Sequence, residues 1–316
     1  MVERDARGVR STVIVVTWRG REQVTRCLDA LARQDCPHTT VVLDNASDDG
    51  TAELLAEHPS APRVIRLARN AGYAGGLAAA LREVRTPFVA WLNDDTEVAP
   101  RWLGRLEAAL DADPRAAAAG ATLVTPDGEI QSTGVRLTAD GHGADSTEPT
   151  AGVFGFCGGA VLLRTTALAA IGGVPAGFFC YYEDTDTSWR LRLAGWRIVQ
   201  VPAAKVRHLH GASTRPGSPR FHRWNERNRL LTLLRCAPAL VAWRQVLRFL
   251  AVTLLLPVRR LLRTEVPDAP NFTVRLRLLV LAELLLRLPA TLLARRSIRR
   301  VRTVSRIAVW RAWAGR

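Results

Sequence analysis

Two adjacent acids close the segment WLNDDTEV, in which Asn93, Asp94 and Asp95 follow directly on an apolar run. Carboxylates at a strand end can hold a hard divalent cation and leave its remaining positions to phosphate oxygens. They can equally cap a helix expected from about Pro100. A second cluster, EDTDTSWR, crowds Glu183, Asp184 and Asp186 into four positions. Mutual repulsion or burial raises the pKa of at least one such group, which suits a base that takes a hydroxyl proton. An acidic first helical turn that complements the helix dipole would look the same. VRHLHGAS adds His208 and His210, two apart and so on one strand face, where a neutral imidazole can ligate a nearby metal.

Two further segments are built to approach a nucleotide. In VVLDNASDDGT, Asp44 and Asn45 end an apolar run and Asp49-Gly50-Thr51 opens a helix; an acid placed there accepts hydrogen bonds from a ribose or a base N–H. In RNAGYAGGLAAAL, Asn70, Gly72, Gly75 and Gly76 bring backbone close to a ligand ahead of a helix N-terminus that favours phosphate. Neither segment has the spacing of a P-loop or of a G-x-G-x-x-G dinucleotide turn.

The elements that must position these residues are legible as alternating patterns. TVIVVTW, EQVTRCLDALAR, TTVVLDN, TAELLAEH, RVIRLA, GGLAAALREV, PFVAWLN and RWLGRLEAALDA read as strand then helix, four times over. Continuous apolar strands separated by short helices predict a parallel sheet covered on both faces. Ligands of such sheets sit at the carboxyl ends of the strands, where Thr17, Asp44, Asn45 and the acids of NDD fall. From about 116 to 160 the pattern loosens into hairpin turns at TPDGE and a mobile loop at TADGHGADSTEPTAG. Order resumes with GGAVLLRTTALAAIGG as strand and short helix. YYEDTDTSWRLRLAGW is a loop entering a helix whose Trp189, Leu191 and Leu193 partly face the core, and RIVQVP is a last strand.

Beyond Pro202 the chain becomes Leu-rich, Arg-studded helix, interrupted by Pro238, Pro257, Pro267, Pro270 and Pro289. Charge marks the same division. Residues 1–204 carry 20 Lys+Arg against 25 Asp+Glu, whereas 205–316 carry 24 against 4, so a net of −5 precedes a net of +20 within an overall +15. The partner of the basic segment should be anionic: lipid headgroups, diphosphates or nucleic acid.

With 316 residues and 48% hydrophobic content, the chain can build one large α/β domain and an accessory region. Five cysteines, an odd number without a C-x-x-C pair, indicate neither a disulfide framework nor a structural zinc and point to a reducing cytoplasm. The first residues, MVERDARGVRSTVIVV, do not read as a targeting segment. No stretch of eighteen uninterrupted apolar residues occurs, which argues against a transmembrane helix.

Taken in order, VIVVTW, VVLDNASDDGT, RNAGYAGG, WLNDDTEV, GFCGGAVLLRTTALAAIGG, FFCYYEDTDTSWRLRLAGWRIVQVP and VRHLHGAS resemble the inverting glycosyltransferase family 2 over about residues 10 to 236. Within it the likeness is closest to rhamnosyltransferases of cell-wall linker and O-antigen assembly. The resemblance implies the α/β GT-A nucleotide-diphospho-sugar transferase fold, mostly parallel sheet flanked by helices, together with a nucleotide-sugar donor, a Mg²⁺ or Mn²⁺ ion and a hydroxyl acceptor. By position it implies Asp95 as metal-binding acid with Asp94 beside it on the donor, and His208 as a ligand of metal or diphosphate. Asn93 stands where the motif's first acid is expected, so fewer charged ligands remain. Thr17, Asp44, Asn45, Asn70, Gly72 and Gly75 fall on the nucleoside and phosphate side. Asp184 matches the catalytic base, with Glu183 the alternative, and Gly158, Gly159, Trp189 and Arg190 fall on the acceptor side.

The resulting expectation is a catalytic domain over 10–215 after a short extension (1–9), followed by a basic, amphipathic helical region over 216–316. A single in-line displacement is expected, with Asp184 deprotonating the acceptor and inversion at the anomeric carbon. The tail would lie on an anionic membrane, placing the enzyme peripherally on the cytoplasmic face near a polyprenyl-diphosphate-linked saccharide. Alternatively its helices pack on the catalytic domain or on a second copy of the chain. L-Rhamnose from dTDP-L-rhamnose is favoured as donor by resemblance alone, leaving other UDP- or GDP-sugars open. Nucleic acid is not expected as a partner, because the Leu and Val between the arginines do not suit phosphate-binding arms. A sugar nucleotidyltransferase would need a Gly-rich, basic phosphate loop after the first strand, which is lacking.

Overall fold

The computed structural model describes residues 8–148, 152–209 and 217–315. In chain order its elements are β1 (Ser11–Thr17), α1 (Arg21–Ala32), β2 (His38–Asp44), α2 (Thr51–Glu57), β3 (Arg63–Arg66), α3 (Gly72–Ala80), β4 (Phe88–Asn93), β5 (Thr96–Val98), α4 (Trp102–Ala112) and β6 (Ala116–Val124). There follow β7 (Ile130–Ser132), β8 (Gly134–Leu137), β9 (Gly143–Ser146), β10 (Ala160–Arg164), α5 (Thr165–Ala170), α6 (Glu183–Leu193) and β11 (Arg197–His208). The chain ends in α7 (Pro219–Cys236), α8 (Ala239–Leu261), α9 (Val274–Val301) and α10 (Arg306–Trp313).

The main sheet runs β3-β2-β1-β4-β10-β6-β11-β5, with β7 beside β6. The alternation of β1 divides the core between the two faces. Ile14 and Val16 pack with Leu43, Leu77 and Trp91, whereas Val13 and Val15 pack with Leu28, Leu31 and Trp102. The first four strands are parallel as expected. The sheet is nonetheless mixed, because β10 runs antiparallel between β4 and β6, and β5 antiparallel to β11. Since β10 reverses direction twice in the order, β6 and β11 point the same way as β1, β2 and β4. Their carboxyl ends therefore share one edge.

Two sequence expectations need correction. AAAAGATLV, placed in the loose region, is the central strand β6. Ala is a poor intrinsic strand former, but here it is sandwiched between β10 and β11 with Ala116 to Ala119 wholly buried, so packing overrides propensity. Pro257 and Pro289 do not interrupt helices; they lie inside α8 and α9. Buried contacts on either side, from Thr253, Leu256, Leu284 and Thr291, outweigh the roughly 3 kcal/mol that an interior proline costs. By length and composition alone α8 also contains an 18-residue window, with a mean hydropathy of 1.6, apolar enough to cross a membrane. A run interrupted by single arginines escapes a search for unbroken apolar sequence.

The expected turn at TPDGE closes the β6–β7 hairpin through Gly128 N–H donating to Thr125 O at 2.9 Å. TADGHGADSTEPTAG forms the β8–β9 hairpin, with Pro149 to Ala151 outside the described residues.

Much of the basic segment packs on the α/β body. Thr303 and Val304 N–H donate to Leu193 O at the end of α6, Trp310 stacks on Trp189 at 6.0 Å, and Arg192 lies over the Trp313 ring at 4.4 Å. The outer faces of α8 and α9 stay bare: Leu240 and Leu261 are each 83% exposed and Leu286 82%.

Candidate active site

The NDD segment is a tight turn between β4 and β5. Asn93 N–H donates to Gly159 O at 3.0 Å, Thr96 hydroxyl to Asn93 O at 2.6 Å, and Leu209 N–H to Asp95 O at 2.9 Å. Because Thr96 pairs with His208 in the ladder, the imidazole is delivered to the neighbouring acid, and His208 Nε2 lies 3.1 Å from Asp95 Oδ1. His208 Nδ1 lies 3.0 Å from Gln131 Oε1, so the ring is held between Gln131 and Asp95. The helix-capping alternative fails, since β5 separates the acids from α4, whose N-cap position is Arg101. His210 lies outside the described residues.

Asp94 is oriented differently from its neighbour. A side chain at Gly20 would strike both Asp94 and Thr17, so the carboxylate is packed against the start of α1. Burial pushes Asp94 up to about 7, against the opposing effect of the Thr17 hydroxyl.

On the β1–β2 side, Thr17, Asn45, Asn70 and Gly72 line the cleft. Asn45 shapes this wall by donating to Gly72 O at 3.0 Å and accepting from Ala71 N–H at 2.8 Å, and Asn70 accepts from Gly72 N–H at 2.8 Å. Two expected donor residues do not reach it. Asp44 is wholly buried beneath, accepting from Ser47 N–H at 2.9 Å with Arg66 Nε at 3.3 Å. Gly75 faces Ala71 inside α3, where helix packing explains its small size.

Asp184 enters from the other side, in the first turn of α6. It accepts from Gly158 N–H at 3.1 Å, from Thr185 N–H at 2.5 Å and from the Thr185 hydroxyl at 3.1 Å. Gly159 lines the same wall. Burial raises both Glu183 and Asp184; the Asp184 charge raises Glu183 further, and the Asp145 charge raises Asp184. Glu183 is pushed up to about 8 and its Oε2 is buried with no hydrogen-bond partner, so at neutral pH it holds its proton. Asp184, with its three donors and a partly open face, is the better candidate for the ionised group.

The segment that presents these acids has positive φ at Phe179 (68°), Tyr181 (71°) and Tyr182 (68°). Side chains from α7 hold it there. Asn228 donates to the carbonyls of Phe178, Cys180 and Tyr181 at 3.1, 2.9 and 2.8 Å, and Arg227, paired with Glu283 of α9, donates to Phe178 O at 2.5 Å. Strained backbone of this kind persists where surrounding contacts over-determine it.

Trp189 and Arg190, expected on the acceptor side, point away from the cleft. Trp189 is wholly buried against Phe154 and Trp310, and so are Leu191 and Leu193, expected only partly inward. Arg190 donates to Asp186 Oδ1 at 2.6 Å and to Ile171 O at 2.8 Å; Arg235 approaches the other Asp186 oxygen at 3.1 Å. A helix with residues buried all round shows no amphipathic period from which the inward side could be read. Breaking a buried ion pair leaves an uncompensated charge, so Arg190→Ala should destabilise by about 3 to 5 kcal/mol in urea unfolding and leave acceptor KM unchanged in the folded fraction.

The cleft encloses about 880 Å³ and brings together Thr17, Asn45, Asn70, Gly72, Asp94, Asp95, Gly158, Gly159, Glu183, Asp184 and His208. Residues not anticipated include Tyr73, whose hydroxyl donates to Gly158 O at 2.9 Å, Asp145 of β9, and the α7 side chains Phe221 and Trp224. The one available signal was the RWNERN start of α7, whose charge pattern hides a buried polar face.

Among the described residues no group of three or more His, Cys, Asp or Glu side chains converges on a single cation position. The Asp95–His208 pair still fits a divalent ion whose coordination a diphosphate completes. Asp95 Oδ1 and His208 Nε2 lie 3.1 Å apart beside the cleft, an oxygen and nitrogen set suited to Mn²⁺.

A family model described as glycosyl transferase family 2 matches residues 12–172. The chain is 27% identical over 238 residues to an N-acetylglucosaminyl-diphospho-decaprenol L-rhamnosyltransferase of Mycobacterium tuberculosis, covering 64% of this chain and 76% of the relative. Among solved structures, a mannosyltransferase from Pyrobaculum calidifontis in complex with GDP-Man and Mn²⁺ superposes with a TM-score of 0.53 at 20% identity, covering 96% of this chain and 75% of that one. TarS 1-349 of S. aureus in complex with UDP gives a TM-score of 0.54 at 19% identity, covering 72% and 66%. The α/β fold with helices on both faces of the sheet is thus that of GT-A-like glycosyltransferases.

Proposed function

As a member of glycosyl transferase family 2 the chain is a glycosyltransferase, and we propose that it transfers a sugar, with inversion, from a nucleotide diphosphate to a hydroxyl of a polyprenyl-diphosphate-linked saccharide. The observation that carries this reading is one cleft holding a hydrogen-bonded carboxylate, Asp184, together with the Asp95–His208 carboxylate–imidazole pair. The named substrate of the mycobacterial relative supports the lipid-linked acceptor and favours L-rhamnose from dTDP-L-rhamnose as donor.

In this mechanism Asn45, Asn70, Thr17 and the backbone around Gly72 bind and orient the nucleoside diphosphate. Asp184 Oδ takes the proton of the acceptor hydroxyl, whose oxygen attacks the anomeric carbon as the diphosphate departs. Gly158 N–H and Thr185 aim that carboxylate. A divalent cation held by Asp95 and His208 would supply positive charge against the leaving diphosphate. The bare leucines of α8 and α9, interspersed with arginine, support peripheral attachment to an anionic membrane surface on the cytoplasmic side, where the lipid-linked acceptor would be met.

The test is release of nucleoside diphosphate from a panel of sugar nucleotides, with and without a short-chain polyprenyl-diphosphate N-acetylglucosamine, in Mn²⁺, Mg²⁺ and EDTA. Acceptor-dependent release of dTDP from dTDP-rhamnose is expected, falling about 10² to 10³-fold in EDTA and in Asp95→Ala. Release of pyrophosphate, or release that EDTA leaves untouched, would refute the reading in its reaction class or in its metal.

A further inference from the structure

We propose that the cleft contains an aromatic subsite for the acceptor sugar, built by Tyr181, Phe221 and Trp224, with the Tyr181 backbone held by Asn228. The inference rests on the transferase reading and names the part of the cleft that takes the acceptor.

All three rings line the cleft, and none is fully buried. Tyr181 meets Phe221 edge-on at 5.1 Å, and Trp224 packs tilted on Phe179 at 4.8 Å, so the rings brace one another across the boundary between the 178–182 segment and α7. Aromatic faces carry negative charge and attract the C–H-rich faces of pyranose rings. A ligand pocket typically combines such apolar wall with a few fixed polar groups, here Asp184, Asn225 and Asp145.

Two observations assign the wall to the acceptor. The group that takes the acceptor proton must touch the acceptor hydroxyl, and Asp184 follows Tyr181 by three residues in the same pinned segment. The nucleotide side, in contrast, is made from the ends of β1 and β2 and the start of α3. Phe179 marks the seam, since its carbonyl accepts from Ala74 N–H at 3.0 Å at the start of α3.

The backbone that carries Tyr181 is also pinned before any ligand arrives. Asn228 is wholly buried, and its amide reaches the carbonyls of Phe178, Cys180 and Tyr181. Backbone fixed in advance lowers the ordering cost of binding.

The experiment uses full-length Trp224→Ala, Phe221→Leu and Trp224→Phe. Acceptor KM is measured at saturating donor, and the donor dissociation constant by calorimetry. Trp224→Ala and Phe221→Leu should each raise acceptor KM about tenfold or more with donor affinity unchanged, and Trp224→Phe should recover most of the loss. Acceptor KM within twofold of wild type in a variant that binds donor normally would overturn the subsite. A parallel loss of donor affinity would overturn it too, by moving the rings to the donor side. Should Trp224→Ala not fold, Phe221→Leu decides by the same criteria. A wild-type protein that turns over no donor strikes the transferase reading itself, and is distinguished by that control.

Discussion

Asp184→Asn is expected to lower turnover about 10³-fold while leaving donor affinity within about threefold of wild type, because only the transition state needs the proton removed. The amide keeps the shape and can still accept from Gly158 N–H at one atom, so the first turn of α6 should stay in place. Single-turnover rate and calorimetric donor binding measured on one preparation separate the two effects. Equal loss of both would make Asp184 a donor-binding residue.

Its neighbour gives a prediction of opposite character. Glu183 is pushed up to about 8 by burial first and by Asp184 second. A carboxyl raised above its unfolded value contributes stability that is complete below about pH 4 and is lost as pH rises through the folded value. Glu183→Gln should therefore match wild type in stability at low pH and exceed it above about pH 8, as urea midpoints across pH would show. In catalysis the base must be deprotonated, so the acid limb of the rate profile reports Asp184, raised by burial and by the Asp145 charge. Glu183 is still protonated where Asp184 loses its proton, so Glu183→Gln should leave that limb in place. A limb that moves to lower pH would show that Glu183 is charged while Asp184 titrates.

The elements that carried these acids were readable because β1, β2 and β4 each end in a small polar residue at the same edge of the sheet. Thr17 and Asp44 sit at matched ladder positions and Asn93 pairs one residue earlier, with Val16, which alternation of strand and helix implies once the sheet is parallel. Asp44 illustrates the limit: its strand end was correctly located, but whether its side chain turns to ligand or to its own loop depends on Arg66 and Ser47, which no local pattern encodes. Trp189 and Arg190 failed in the same way, since α6 is covered by α7 and α10 from far along the chain. The basic charge of that distant segment masked its inner face. Asn228 is one polar residue among many in RWNERNRLL, and only the fold shows it beneath the strained 178–182 backbone.

That backbone makes Gly72 the most sensitive glycine of the cleft. It has φ of +73°, and a Cβ there would fall on the carbonyl and ring of Phe179. Gly172 offers a control, since its φ of +85° is similarly left-handed but a Cβ there meets nothing within 4 Å. Gly172→Ala should then cost only the conformational penalty of about 1 to 2 kcal/mol. Gly72→Ala adds overlap with backbone that Asn228 prevents from yielding, worth about another 1 to 3 kcal/mol by analogy with overpacked cores. The difference between the two urea midpoints isolates the contact between the start of α3 and the 178–182 segment. Because the first belongs to the nucleotide wall and the second presents Asp184, Gly72→Ala should also lower donor affinity and turnover together, unlike Asp184→Asn. Equal destabilisation by the two alanines would mean that these walls do not touch, and that donor and acceptor sides are positioned independently.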